Sequence, residues 1–157
     1  MNKIIPNLGS ERPTDRLVHL LVGTAHGLEK RYEEALAPVG LTGPKFGALS
    51  KIVQAGSSLS LGELAERLTC VRSNITQLVD RLEADGLVER SEDPADRRTV
   101  RAGITELGLE KQIAGAKMIA NLLEEVASSL KGLDLDAFER VLNALGAFNV
   151  LACYKDA

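Results

Sequence analysis

The stretch Ser60–Thr105, SLGELAERLTCVRSNITQLVDRLEADGLVERSEDPADRRTVRAGIT, decides the reading of this chain. Ser60 and Glu63 have capping-box spacing, in which a hydroxyl and a carboxylate each satisfy an otherwise orphaned N–H. They open a short helix to about Leu68, with Leu61, Leu64, Ala65 and Leu68 as its apolar stripe. A second helix is expected over roughly Val71–Asp85, because Ile75, Leu78, Val79 and Leu82 recur at i, i+3, i+4 and i+7. Gly86 stands where a left-handed residue would end it. Leu87–Arg90 and Thr99–Ile104 read as strands, the second with Val100, Ala102 and Ile104 alternating against Thr99, Arg101 and Gly103. Ser91–Arg98 joins them and carries Asp96-Arg97-Arg98 at its tip. This order of helix, turn, helix and charged hairpin is that of a winged helix-turn-helix. Such a unit sets one helix in the DNA major groove and an arginine beside it in the minor groove.

The second helix packs its apolar stripe inward, so Ser73 and Gln77 are expected at the centre of the outer face, flanked by Asn74, Thr76, Asp80 and Arg81. Ser, Asn, Thr and Gln are compact donor–acceptor side chains suited to base edges. Arg72 falls in the first turn, where the helix N-terminus favours a phosphate. Asp80 and Glu83 would repel phosphate, but they lie where the helix leaves the groove. By itself such a face is usually only solvated. In the hairpin, Asp96 is expected to hold an arginine side chain in a fixed pose, so that Arg97 or Arg98 loses less rotamer entropy in a narrow groove. Taken alone that contact is a surface ion pair worth about 0–1 kcal/mol. The ordered combination is far more specific than either part.

Outward from this segment the chain reads as helical. Residues 1–13, with Pro6, Gly9 and Pro13, read as a mobile arm. A long helix should begin after Thr14 or Asp15, with Leu17, Leu20, Leu21, Leu28, Tyr32 and Leu36 at helical spacing, and end near Pro38 and Gly40. Thr42 is placed to cap the next helix, with Pro44 in its first turn and Phe46, Leu49, Ile52 and Val53 inward. Thr105 caps a helix to about Leu130, Lys131–Asp134 breaks it, and a final helix carries Phe138, Val141, Leu142, Leu145, Phe148 and Ala152 on one face. The fold class is therefore mainly α with a small β-wing. Helices over 14–40 and 106–157 flank a winged-helix region at 41–105, and their spare apolar surface argues for a homodimer.

Composition bounds the function. The 157 residues are 45% apolar but only 3% aromatic, which suits an aliphatic helical core. A formal net charge of −3 argues against a non-specific DNA-coating protein but not against a sequence-specific one. No apolar run approaches a membrane span, so a cytoplasmic protein is expected. No nucleophile elbow, phosphate loop, zinc-protease motif or dinucleotide fingerprint is present, so neither an enzyme nor a cofactor is expected. His19 and His26 are seven residues apart, and the two cysteines, Cys70 and Cys153, are far apart in sequence; no metal site is expected.

The segments LGELAERL, RSNITQLVDRLEADGLVER and DPADRR, followed by Ile104-Thr105 and Leu107-Gly108, resemble the MarR family of bacterial winged-helix transcriptional regulators. The resemblance covers about residues 14–153, with the wing motif its most specific part. It implies a homodimer joined by the first and last helices, bound to a roughly palindromic operator on double-stranded DNA. It implies repression relieved by a small aromatic or phenolic effector or by thiol oxidation. Arg72, Ser73, Asn74, Thr76 and Gln77 would then face the major groove with Arg81 at the edge. Asp96 would brace the wing, and Arg97 and Arg98 would reach the minor groove or its phosphates. Thr69, Val71 and Gln77 stand where the family usually has glycine, serine and arginine, which implies a differently capped recognition helix and a different preferred operator.

Other residues invite functional readings. Cys70, near the recognition-helix N-terminus, could act as a redox switch, although a buried inert thiol is the commoner case. His26, Tyr32 and Phe46 are on helices that would border an effector pocket, although core packing is the default for apolar-face residues. A winged-helix module that binds a protein partner is the remaining alternative.

Overall fold

The computed structural model describes residues 12–68, 72–96 and 98–145, with the backbone alone at 72 and 73. Six helices and three strands are placed among them: α1 (Pro13–Leu36), α2 (Gly43–Ala55), β1 (Leu59–Ser60), α3 (Leu61–Arg67), α4 (Arg72–Ala84), β2 (Val88–Glu92), β3 (Val100–Ile104), α5 (Glu106–Ser129) and α6 (Leu135–Ala144). A single 3-10 turn at Ala37–Val39 links α1 to α2.

Pro13 is the first residue of α1 rather than the last of an arm, and Arg12 is the N-cap. Proline's fixed φ and missing N–H suit the first helical position, so the helix starts earlier than Thr14 or Asp15. Thr42 has the extended N-cap backbone of α2, but its hydroxyl caps nothing. The Glu33 carboxylate of α1 takes that part, accepting from the Gly43 N–H at 2.9 Å. At α3 both bonds of the expected capping box form: the Glu63 N–H donates to Ser60 Oγ at 3.2 Å and the Ser60 N–H to Glu63 Oε2 at 2.7 Å. At the end of α4, Gly86 has φ 71°, its N–H donates to the Glu83 carbonyl, and Leu87 N–H donates to Leu82. That pair of bonds is a Schellman stop, and it turns the chain directly into the hairpin.

The sheet has the order β1-β3-β2 and is antiparallel throughout. β1, unforeseen in the sequence, pairs Leu59 with Ala102 and Ser60 with Arg101. The hairpin strands begin one residue later than expected, at Val88 and Val100. Ala102 is fully buried and Val88 nearly so, whereas Val100 is exposed.

The core is aliphatic. Leu36, Leu49, Ile52, Leu64, Ile75, Val79 and Leu82 are its most completely enclosed large side chains, drawn from α1, α2, α3 and α4. Ala102 of β3 and Ile119 of α5 complete it. Each such side chain contributes roughly 1.5–3 kcal/mol by leaving water. α5 packs against α1 and α2. The outer ends of the terminal helices are different: Leu17, Leu20, Leu28 and Val22 of α1, and Leu135, Phe138, Val141 and Leu145 of or just beyond α6, are exposed.

Candidate nucleic-acid interface

The three core residues Ile75, Val79 and Leu82 set the rotation of α4. Its opposite side therefore exposes Asn74, Thr76, Gln77, Asp80 and Arg81. Arg72 and Ser73 lie in the first turn of α4. Glu83 and Asp80 do not stand as isolated anions. Arg90 of β2 donates to Asp80 Oδ1 at 2.6 Å and to Glu83 Oε2 at 3.1 Å, and its Nη2 also reaches the Thr76 carbonyl at 3.5 Å. One guanidinium thus offsets two carboxylates and joins the helix to the hairpin that follows.

At the tip of that hairpin, among the described residues, the Asp96 carboxylate holds backbone and hydroxyl: Oδ1 accepts from the Arg98 N–H at 3.0 Å and Oδ2 from the Thr99 hydroxyl at 3.2 Å. An acid at this loop position shapes the turn, as Asp commonly does two residues ahead of a backbone N–H. The Arg98 side chain is exposed. Arg97 lies outside the described residues, as do Thr69, Cys70 and Val71.

Besides Arg90, a second arginine, Arg101 of β3, is held firmly. Its Nη1 donates to Asp93 Oδ2 at 2.7 Å and its Nε to the Ser58 hydroxyl at 3.0 Å. Nη2 donates to the Ser58 carbonyl and lies 3.7 Å from Glu63 Oε2. The Asp93 carboxyl is held below its usual range, first by the Ala95 N–H and then by Arg101. Glu63 is likewise lowered, chiefly by the N–H and hydroxyl of Ser60, with Arg101 a smaller contributor. The hairpin register contained the signal for this group. Ser91 faces Arg101, so Asp93 is the diagonal neighbour of Arg101 on the same face.

A separate cavity of about 330 Å³ lies where α1, α2 and α5 meet, lined by Tyr32, Phe46, Lys51, Gln54, Leu68 and Gln112 among others. The rings of Tyr32 and Phe46 meet edge to face, with centroids 6.4 Å apart. His26 is exposed on α1 and is not among the lining residues. Among the described residues no group of three or more His, Cys, Asp or Glu could hold a metal ion. No helix among them is long and apolar enough to cross a membrane.

The MarR family model matches residues 41–100, which run from the start of α2 through the wing. A solved MarR family protein from Bacillus stearothermophilus is 30% identical, with a TM-score of 0.63, and the match covers 90% of this chain and 98% of that one. The chain belongs to the MarR family. A cysteine-to-serine mutant of MarR from E. coli, solved in complex with operator DNA, is 25% identical with a TM-score of 0.70, covering 85% of this chain and 93% of that one. The HTH-type transcriptional repressor MdtR of Bacillus subtilis is 33% identical over 89 residues, 55% of this chain and 57% of that protein. The chain spans between about half and two thirds of the length of the first curated relatives it matches.

Proposed function

We propose that this MarR-family chain is a sequence-specific DNA-binding transcriptional regulator. It acts as a homodimeric repressor of a roughly palindromic operator on double-stranded DNA. The observation that carries the proposal is the exposed polar face of α4, Asn74, Thr76 and Gln77, joined through Arg90 to the hairpin that presents Arg98. Gln77 would read a base edge through two bonds, Arg72 and the helix N-terminus would meet phosphate, and Arg98, with Arg97 beside it, would enter or border the minor groove. The operator-bound MarR neighbour supports the DNA partner, and the resemblance to a repressor supports the direction of control.

The two exposed apolar terminal helices support a two-fold dimer, since each would bury its stripe against the other copy. The cavity at Tyr32 and Phe46 supports release by a small aromatic or phenolic effector. It offers ring surface beside polar Lys51, Gln54 and Gln112, and it borders Leu68 at the end of α3.

The test is duplex binding across a salt series. With several phosphates neutralised, affinity should fall roughly 10³-fold or more between 50 and 200 mM salt. Gln77→Ala should cost about 1–3 kcal/mol on the preferred duplex and little on unrelated DNA, as a base contact does. Arg98→Ala should flatten the salt dependence. Variants indistinguishable from wild type on every duplex would refute this surface.

A further inference from the structure

We infer that Arg101 is a positioning residue of the DNA-binding surface: its guanidinium ties the base of the wing to the start of the helix-turn-helix and so fixes where Arg98 of the wing stands relative to α4. The inference rests on the DNA-binding reading proposed above.

Arg101 leaves the middle strand of the sheet, between its partners Ser60 and Ser91. Its side chain is only 22% exposed and that of Asp93 18%. Three segments meet on it: the turn before β1 through Ser58, α3 through Glu63, and the wing through Asp93. Asp93 is the point from which the wing loop is built. Its Oδ1 accepts from the Ala95 N–H at 2.8 Å, its own N–H donates to the Thr99 carbonyl at 2.9 Å, and its carbonyl accepts from the Asp96 N–H at 3.2 Å. Asp96 in turn holds the Arg98 N–H. A continuous set of hydrogen bonds therefore runs from Ser58 through Arg101, Asp93 and Asp96 to the backbone of Arg98, with Glu63 ion-paired to Arg101 at 3.7 Å.

A two-stranded hairpin is only marginally ordered without such support. A wing ordered before it meets DNA loses less freedom on binding. Only a planar fork serves Ser58, Asp93 and Glu63 together; a lysine ammonium is a single point donor group on a flexible stem. Arg101 therefore needs no contact with DNA to affect binding.

Amide hydrogen exchange on the free protein and duplex binding of the same proteins test this together. In Arg101→Met, exchange at Ala95, Asp96, Arg98 and Thr99 should rise about tenfold or more, while the amides of Ile75–Leu82 keep their protection. The salt slope should fall by about 0.9 for each phosphate that the wing no longer neutralises, with base preference at the centre of each half-site retained. Asp93→Asn should move both readouts the same way, and the double variant should go no further than the larger single change. Arg101→Lys should fail to rescue. Wild-type-like wing exchange and salt slope in both single variants, additive effects in the double variant, or full rescue by lysine would each overturn the inference. Should Arg101→Met fail to fold, Asp93→Asn carries the test. A wild type that binds no duplex defeats the DNA reading, and the exchange result still decides whether Arg101 holds the wing.

Discussion

A methyl group added at Gly108 would stand 2.0 Å from the Leu87 carbonyl oxygen and 2.9 Å from Ile104. Backbone cannot yield as a side-chain tip can, so Gly108→Ala should lower the stability of the winged region by roughly 1–3 kcal/mol or more, read as a shifted urea midpoint with unchanged slope. Acid pH probes a second residue. Asp93 has its folded pKa below the ordinary carboxylate value, so its contribution is complete above that value and is lost as pH falls through the folded pKa. The stability gap between wild type and Asp93→Asn should therefore hold at neutral pH and narrow as pH falls below about 4. A constant gap would contradict the ionised bond to Arg101. These residues mark the limit of what the chain's letters disclose. Asn74, Thr76, Gln77 and Arg81 emerge on the open face of α4 because three core side chains fix its rotation. The hold of Asp93 on Arg101 follows from register and loop geometry that neighbouring residues do not reveal.

At the scale of elements, the helix ends divide by the chemistry that makes them. Ser60 and Glu63, Gly86 and Thr105 act where local signals put them, because each bond spans only a few residues. Ser60→Ala should cost α3 about 1 kcal/mol, measured by thermal or urea unfolding, with Ser60→Gly milder. An unchanged midpoint would show that tertiary packing alone holds that seven-residue helix. The start of α2 falls at Thr42 as its letters indicate, but the side-chain bond there comes from Glu33 of another helix, which local signals do not reveal. The short strand β1 was hidden for a related reason. Two residues carry no alternation to detect, and they become a strand only because β3 passes beside them.

At the scale of the whole molecule, an apolar surplus stands out among the described residues. Leu20 is 57% exposed, Leu145 56% and Ile113 59%, while the core beneath the winged region is closed. Stripes of this size seldom stay in water, so sedimentation should find a dimer at micromolar concentration, and Phe138→Glu should shift it toward monomer because a two-fold interface meets the change twice. A monomeric wild type would contradict that arrangement. The helical periodicity of the flanking segments and their spare apolar surface were plain in the sequence, but which side chains stay uncovered depends on how α1 and α5 pack. Two polar helix faces held one helical turn of DNA apart would give such a dimer its selectivity. Selection of bound duplexes from a random pool tests this most directly. The account predicts enrichment of an inverted repeat whose half-sites lie about 10 base pairs apart, abolished by Gln77→Ala and Arg98→Ala together. A bound pool no different from the input would contradict it.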